Sequence, residues 1–419
     1  MNTNFLKDSF YKVLGLNSIS VVLKTIMGLV STKLASLYLG LQGINTLENF
    51  RNFSSILDSI SQFGIQNGIV KYSAQSKSLN DDKKIISTVF FLLLFTSIVI
   101  ISVIFLYLNY IQGYIFGNER YTKIIILYAL LSPLATLQFL LLNYLQGKQK
   151  HKYLITINSA GYIINIILSF YLIIKYQLIG AIIQITITPI ILLVISLIIT
   201  HKSFNFLSLI SVYSFEKSII KGLLVFSVMN VTSGILSPLS FIFIRNLVEH
   251  HLSTEEAGVW SSILRISGFY MTFVTSICGL YFYPKLAAAL AYKEYREIIS
   301  EYYKKFVPIV LLGLVLCFIL QKIVILLLFT KDFLVIREYF YLQLIADFLK
   351  TLSLIFGYLI IAKKKMVQFI LFEIISLGSY CLGSYIFIKY SQLNGVYYAL
   401  IGSLIIYFII TFSAYKFCK

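Results

Sequence analysis

Charge is scarce in this chain. Only 12% of its 419 residues are Asp, Glu, Lys or Arg, about half of the roughly 25% usual in soluble domains. Hydrophobic side chains make up 58%, a balance that excludes a solvated globular domain. Cysteine is as sparse. Cys278, Cys317 and Cys381 lie in apolar segments, Cys418 is next to the last residue, and no Cys-x-x-Cys occurs, so neither a disulfide framework nor a zinc site is suggested. The five prolines, Pro133, Pro189, Pro238, Pro284 and Pro308, all lie in or at the edge of apolar segments, where kinks are tolerated. Long polar loops are missing too, and with them any place for a soluble domain. No nucleotide-binding loop or zinc motif is present, and no cofactor is implied. A membrane-embedded glycosyltransferase or polymerase would carry its chemistry on a large external loop, which this chain lacks. The expectation is therefore a protein that is not an enzyme.

What remains is a series of apolar segments, each about 20 residues or more, the length that crosses a bilayer as a helix. They fall near 13–38, 44–70, 86–111, 124–145, 153–174, 178–200, 222–244, 258–284, 306–329, 337–361, 366–388 and 394–415. The first lacks a small-residue cleavage site and reads as a span, not a signal peptide. The predicted fold class is an all-α integral membrane protein of about twelve transmembrane helices. The net charge of +18 would suit a nucleic-acid binder, but the basic residues sit in short loops between spans, the pattern of membrane orientation. Seven of them, Arg120, Lys123, Lys175, Arg245, Lys331, Arg337 and Lys389, occupy one set of alternate loops, and 22 occupy the other set and the termini. The positive-inside rule places both termini in the cytoplasm.

The chain repeats itself. A basic turn, an apolar span, Ile-Lys-Tyr and then Gln-Leu-x-Gly occur from Gly147 and again from Ala362. Gly180 and Gly395 are 215 residues apart, as are Gly43 and Gly258, and Gly64 and Gly279. Six spans per copy return the chain to its starting side, so the copies share one orientation, as in parallel-repeat transporters. The expected domains are a six-helix lobe over 1–200, a cytoplasmic amphipathic linker over 201–221 and a second six-helix lobe over 222–419.

Several charges fall inside spans, where they are costly and mark function. Glu48, Arg51, Ser55, Asp58 and Gln62 lie within roughly an 80° arc of one helix, with Asn45 and Asn52 at the outer end. Phe50, Phe53, Leu57 and Ile60 take the other face. The stripe reads as lining a wet cavity; the plainer reading is that Glu48 and Arg51 neutralise each other. Lys24, Lys33 and Arg265 are further candidate cations for substrate binding, alongside Arg51, Glu48, Asn45 and Gln62. Asp58, Glu373 and Asp347 are candidate ion-coupling carboxylates, with Asp347 and Lys350 spaced as an ion pair. Lys322 reads as snorkelling from its span end. His250 and His251, beside Glu249, Glu255 and Glu256, read as a solvated loop and not a metal site.

The run YLGLQGINTLENFRNFSSILDSISQFGIQNGIVKYSAQS (38–76) resembles the N-terminal signature of bacterial polysaccharide-unit flippases, those acting on enterobacterial common antigen intermediates and O-antigen units. The matching elements are Leu-Gly-x-x-Gly at 39–43, Asn-Phe-Arg at 49–51 and Gly-Ile-x-Asn-Gly-Ile-Val-Lys-Tyr-x-Ala-Gln at 64–75. The likeness elsewhere is in span number and two-half architecture, shared across the multidrug/oligosaccharidyl-lipid/polysaccharide exporter superfamily. The resemblance implies two helical lobes around a central cavity, alternating access, and export of an undecaprenyl-pyrophosphate-linked oligosaccharide across the bacterial inner membrane. Arg51 is the site residue it carries over. Its implied partners are that lipid-linked substrate, the lipid bilayer, a polysaccharide polymerase and a chain-length regulator, with no nucleic acid. A cation-coupled drug exporter of the same superfamily is the alternative, disfavoured by the number of buried cations.

Overall fold

The computed structural model describes residues 3–116, 121–201, 205–289, 291–363 and 365–416, with side chains from residue 23 onward except those of 225, 226, 229 and 280. Arg120, Lys202, Lys364, Cys418 and Lys419 lie outside the described residues. All regular structure among the described residues is helical. The order is α1 (Thr3–Ser61), α2 (Gln66–Gln75), α3 (Leu79–Leu106), α4 (Leu108–Phe116), α5 (Thr122–Gly147), α6 (His151–His201), α7 (Lys217–His251) and α8 (Thr254–Ile277). There follow α9 (Tyr283–Ala288), α10 (Tyr292–Glu301), α11 (Val307–Ile319), α12 (Gln321–Leu328), α13 (Arg337–Ala362) and α14 (Met366–Lys416).

Three of these helices are too long for one crossing. α6 and α14 each have 51 residues, ~76 Å at 1.5 Å per residue, against ~30 Å of hydrocarbon. Each is two spans joined by one residue of non-helical backbone, Gln177 (φ 50°, ψ −126°) in α6 and Gln392 (φ 51°, ψ −135°) in α14. α1, with 59 residues, turns at Gly40 (φ 64°, ψ −168°). That conformation is open essentially to glycine alone, and a Cβ there would meet nothing within 4 Å; backbone angle, not space, requires glycine in the Leu-Gly-x-x-Gly element. Two spans each from α1, α6 and α14 join α3, α5, α7, α8, α10–α12 and α13 to give twelve. Among the described residues, seven helical stretches are long and apolar enough to be spans on length and composition alone. The second half of α1 and α8 are not among them, because polar residues interrupt both.

The repeat is written in the backbone. Gln177 and Gln392 are 215 residues apart and share the same rare dihedrals, which cost a non-glycine residue about 1–3 kcal/mol. Three residues further on, a Cβ on Gly180 would collide with the Leu172 carbonyl oxygen, and one on Gly395 with that of Phe387, again 215 residues on. The helix ends agree as well. After α5, Lys148 N–H donates to Tyr144 O and Lys150 N–H to Leu145 O, both at 2.9 Å. After α13, Lys363 N–H donates to Leu359 O at 3.0 Å and Lys365 N–H to Ile360 O at 3.1 Å. This is the six-to-one closure that satisfies orphan carbonyls at helix ends. Of the other two glycine pairs, Gly43 and Gly258 are both α-helical, whereas Gly64 has φ +59° in a turn and Gly279 sits within a π-helical turn at 278–282.

Contacts group the chain into two compact units, one of residues 1–38 and 49–235, the other of 39–48 and 236–419. In the first, a buried aliphatic cluster from α2, α3, α5, α6 and the start of α7 includes Ile69, Val89, Leu141 and Leu223. The turn between α1 and α2 exposes carbonyls that α7 caps: Ser227 Oγ donates to Phe63 O at 2.5 Å and Asn230 Nδ2 to Gly64 O at 2.8 Å. Gly64 has φ +59° and a Cβ there would lie 2.8 Å from Ser227 O, which accounts for glycine at the start of the Gly-Ile-x-Asn-Gly run. In the second, α13 packs on α14 and α8, and the π turns at 278–282 and 302–306 meet through Phe282 and Tyr302, whose rings are 5.0 Å apart.

Alanine normally stabilises a helix over glycine by about 1 kcal/mol. At Gly180 and Gly395 the order should reverse, since a carbonyl oxygen of the same chain cannot yield to a Cβ. Thermal unfolding of the purified protein should show lower midpoints for Gly180→Ala and Gly395→Ala. Gly313→Ala, with nothing near its Cβ, should leave the midpoint unchanged or raise it.

Candidate functional site

The second half of α1 divides as its charge pattern requires. Phe50, Phe53 and Leu57 are buried in the first unit, and Phe50 meets the Tyr128 ring of α5 edge-on at 5.7 Å. Arg51, Asp58 and Gln62 are half-buried and Ser55 is exposed, so the polar stripe is the less enclosed face. Asp58 has its partner on another helix: Tyr128 hydroxyl donates to Asp58 Oδ1 at 2.7 Å and also lies 3.3 Å from Ser54 O. Asn49, of the Asn-Phe-Arg element, is buried and donates to Ile115 O at 3.1 Å.

Deeper in this unit lies a polar network that the sequence reading missed. Ser31 and Ser169 hydroxyls are 2.9 Å apart. Gln184 Nε2 donates to Ser169 Oγ at 2.6 Å and to Asn165 Oδ1 at 3.2 Å, and Thr188 Oγ1 donates to Asn165 Oδ1 at 2.7 Å. The signal was available: Asn165 with Ser169 and Gln184 with Thr188 are i,i+4 polar pairs within apolar spans. Lys24 is exposed and Lys33 half-buried on the same helix as Ser31.

In the second unit the buried cation is Arg245. Counted above as an external loop residue, it lies inside α7 and is 2% exposed; the span continues past it because its charge is satisfied within the protein. Its Nε donates to Ser261 Oγ at 2.9 Å, its guanidinium lies 5.3 Å from the Trp260 ring centre, and Glu48 and Glu249 attract it. Asn45 Nδ2 donates to Glu249 Oε2 at 3.1 Å. Asn45 and Glu48 thus serve this cluster, and Glu48 belongs with residues 39–48 while Arg51 belongs to the other unit.

Asp347 is buried. Tyr270 hydroxyl donates to its Oδ2 at 2.5 Å and Gln343 Nε2 to its Oδ1 at 3.1 Å. Lys350 is exposed and acts on Asp347 only electrostatically. The Arg265 guanidinium lies 5.4 Å from the Phe269 ring centre, Glu373 is half-buried and acts on the Tyr407 hydroxyl, and Lys322 is exposed. Of the expected site residues, Arg51, Asp58 and Gln62 share one helical stretch in the first unit, Asn45 and Glu48 join the Arg245 cluster and Asp347 has its own, while Lys24, Lys33, Arg265 and Glu373 are not brought into any of these groups.

This is the helical framework and internal polarity of a membrane transporter. The chain belongs to the polysaccharide biosynthesis protein family, whose model matches residues 11–290. It is 27% identical over 369 residues to the Lipid III flippase of Escherichia coli (strain K12), a match covering 85% of this chain and 86% of that protein. The Lipid III flippase of Shigella flexneri matches to the same extent. Among solved structures, an inward-facing multidrug resistance MATE family transporter of the MOP superfamily superposes with a TM-score of 0.78 at 13% identity, covering 94% of this chain and 93% of that one. The lipid II flippase MurJ, in an inward closed conformation, superposes with a TM-score of 0.70 at 16% identity, covering 95% of this chain and 87% of that one. These two likenesses define the fold.

The Arg245 cluster gives a direct test. Removing one partner of a buried charge pair costs about 3–5 kcal/mol because the other charge is stranded. Arg245→Met should sharply lower the amount of folded protein in the membrane. Adding Glu48→Gln should recover part of that loss, read by fluorescence size-exclusion of detergent extracts. No recovery in the double variant would show that Glu48 does not partner Arg245.

Proposed function

We propose that this protein flips an undecaprenyl-pyrophosphate-linked oligosaccharide, a surface-polysaccharide repeat unit of the O-antigen type, from the cytoplasmic to the periplasmic leaflet of a bacterial inner membrane. The observation that carries the reading is the alignment with Lipid III flippase along 85% of the chain. The physical task agrees with the composition. Each sugar hydroxyl placed unpaired in an apolar medium costs roughly 2–7 kcal/mol, so a repeat unit needs a polar path through the membrane while its lipid tail stays in the bilayer. A chain that is 58% hydrophobic yet keeps arginines and carboxylates within its spans meets both demands.

On this reading Arg51 grips the pyrophosphate through charge-assisted, bidentate hydrogen bonds. Lys24, Lys33 and Arg265 supplement it, and Gln62, Asn45 and Glu48 order the polar stripe. Asp58, Asp347 and Glu373 are the carboxylates through which a cation gradient is coupled. Alternating access comes from rocking of the six-helix lobes 1–200 and 222–419, joined by 201–221. Both termini face the cytoplasm, and a polymerase and chain-length regulator receive the product. The MATE-like fold supports a second reading, cation-coupled drug export, but a drug exporter has no use for a cationic grip on a diphosphate.

Cells deleted for the gene should accumulate a lipid-linked oligosaccharide on the cytoplasmic leaflet, detectable by extraction and sugar analysis; no such accumulation would remove the reading. Arg51→Lys should restore flipping poorly despite keeping the charge, because an ammonium lacks the two-pronged donor geometry. If Arg51 only neutralised Glu48, the Glu48→Gln, Arg51→Gln double variant would regain the activity lost in Arg51→Gln alone; we expect no such recovery. In a background without the native cysteines, an impermeant thiol reagent should label His251→Cys but not Lys77→Cys in intact cells. The opposite labelling would invert the orientation.

A further inference from the structure

Between α6 and α7 the chain forms two short 3₁₀ turns, Phe206–Leu209 and Val212–Ser214. The first tucks Phe206 and Leu209 into the buried cluster of the first unit. The second turns its side chains outward: Val212 is 70% exposed, Tyr213 fully exposed, and Leu207 and Phe215 are also open. Four large apolar or aromatic side chains within nine residues are costly in water, yet the backbone that carries them is firmly held. Ser87 of α3 donates to Leu209 O at 3.1 Å and accepts from Ser211 N–H at 2.9 Å. Thr88 Oγ1 accepts from Glu216 N–H at 2.9 Å, and Lys84 Nζ lies 3.1 Å from Glu216 Oε2. Lys84 and Ser218 hold the Glu216 carboxyl below its usual range, Ser218 contributing most. The finger is a fixed projection at the level where α3 and α7 begin.

Its surroundings are cationic. Lys83, Lys217 and Lys221 are exposed beside it, and Gly222 packs on the Tyr72 hydroxyl, which brings exposed Lys71 to the same end. Glu216, the acidic residue that follows the finger, is already paired with Lys84.

We infer that the 206–215 finger is a membrane-docking element: Leu207, Val212, Tyr213 and Phe215 insert at the headgroup–acyl boundary, and Lys83, Lys217 and Lys221 bind the phosphates of acidic phospholipids. Apolar and aromatic side chains ringed by lysines are the composition of an interfacial anchor. A tyrosine with its hydroxyl toward the headgroups is the side chain such a boundary favours, and clustered lysines are drawn to an acidic leaflet. The finger therefore clamps the start of α7 to the bilayer surface. This inference does not depend on which lipid-linked solute the protein moves.

Trp260 is the sole native tryptophan and is fully buried, so Tyr213→Trp gives a readable probe. The full-length variant is reconstituted into vesicles of phosphatidylcholine alone or with phosphatidylglycerol, with lipids brominated near the headgroup end of their chains. The added emission should be blue-shifted, quenched by bromolipid and shielded from aqueous acrylamide. Quenching should be about twofold greater with phosphatidylglycerol and fall to the phosphatidylcholine level in Lys217→Gln, Lys221→Gln. Red-shifted emission quenched by acrylamide in both vesicle types would overturn the inference. Bromolipid quenching indifferent to phosphatidylglycerol would overturn the acidic-lipid partner.

Discussion

Inside a hydrocarbon layer no water completes the hydrogen bonds of a polar side chain, so every internal charge must find its partner within the protein. Asp58 finds Tyr128 and Asp347 finds Tyr270 with Gln343. Each bond ties the second helix of a half to the fourth. In the first half the carboxylate is on the second helix and the phenol on the fourth; in the second half the roles are exchanged. At the 215-residue offset Asp58 corresponds to Phe273, Tyr128 to Gln343, Tyr270 to Ser55 and Asp347 to Ser132. The same strut therefore exists twice with its carboxylate and phenol at different positions, and only the 128/343 position takes part in both. A duplicated ancestor does not by itself leave that pattern; a requirement acting separately on each half does.

How far the sequence reveals this depends on the range of the interaction. Span number and class followed from hydrophobic length alone, and the repeat from a fixed offset between Gly180 and Gly395, because both are local signals. The polar stripe of α1 was legible from 3.6-residue periodicity, including the apolar face that Phe50, Phe53 and Leu57 bury. Partners on distant helices were not legible. Sequence spacing suggests Glu48 with Arg51 and Asp347 with Lys350, since helical neighbours three apart are the pairs that one strand of sequence displays. The folded chain adds Arg245 near Glu48, some two hundred residues on, and Tyr270 on another helix to Asp347. Arg245 was misread for a related reason: a lone arginine at a span end looks like a loop residue until Ser261 and Trp260 are seen around it.

The halves have kept their backbone devices and diverged in their polar interiors. The rare turns at Gln177 and Gln392, the close approaches at Gly180 and Gly395, and the caps after α5 and α13 coincide residue for residue. Yet the network positions Asn165, Ser169, Gln184 and Thr188 become Tyr380, Ser384, Ala399 and Ser403. The first set closes its hydrogen bonds among its own members, whereas Ser384 Oγ is buried with no hydrogen bond to another protein group. Backbone turns fix where helices break and re-enter, a demand that is the same in both halves. On the proposed reading, a solute with a charged diphosphate at one end and sugars at the other has no internal symmetry to match a symmetric protein. Duplicated spans supply the symmetric frame, and the polar side chains within it differ between the halves, with Arg51 and Asp58 in one and Arg245 and Asp347 in the other.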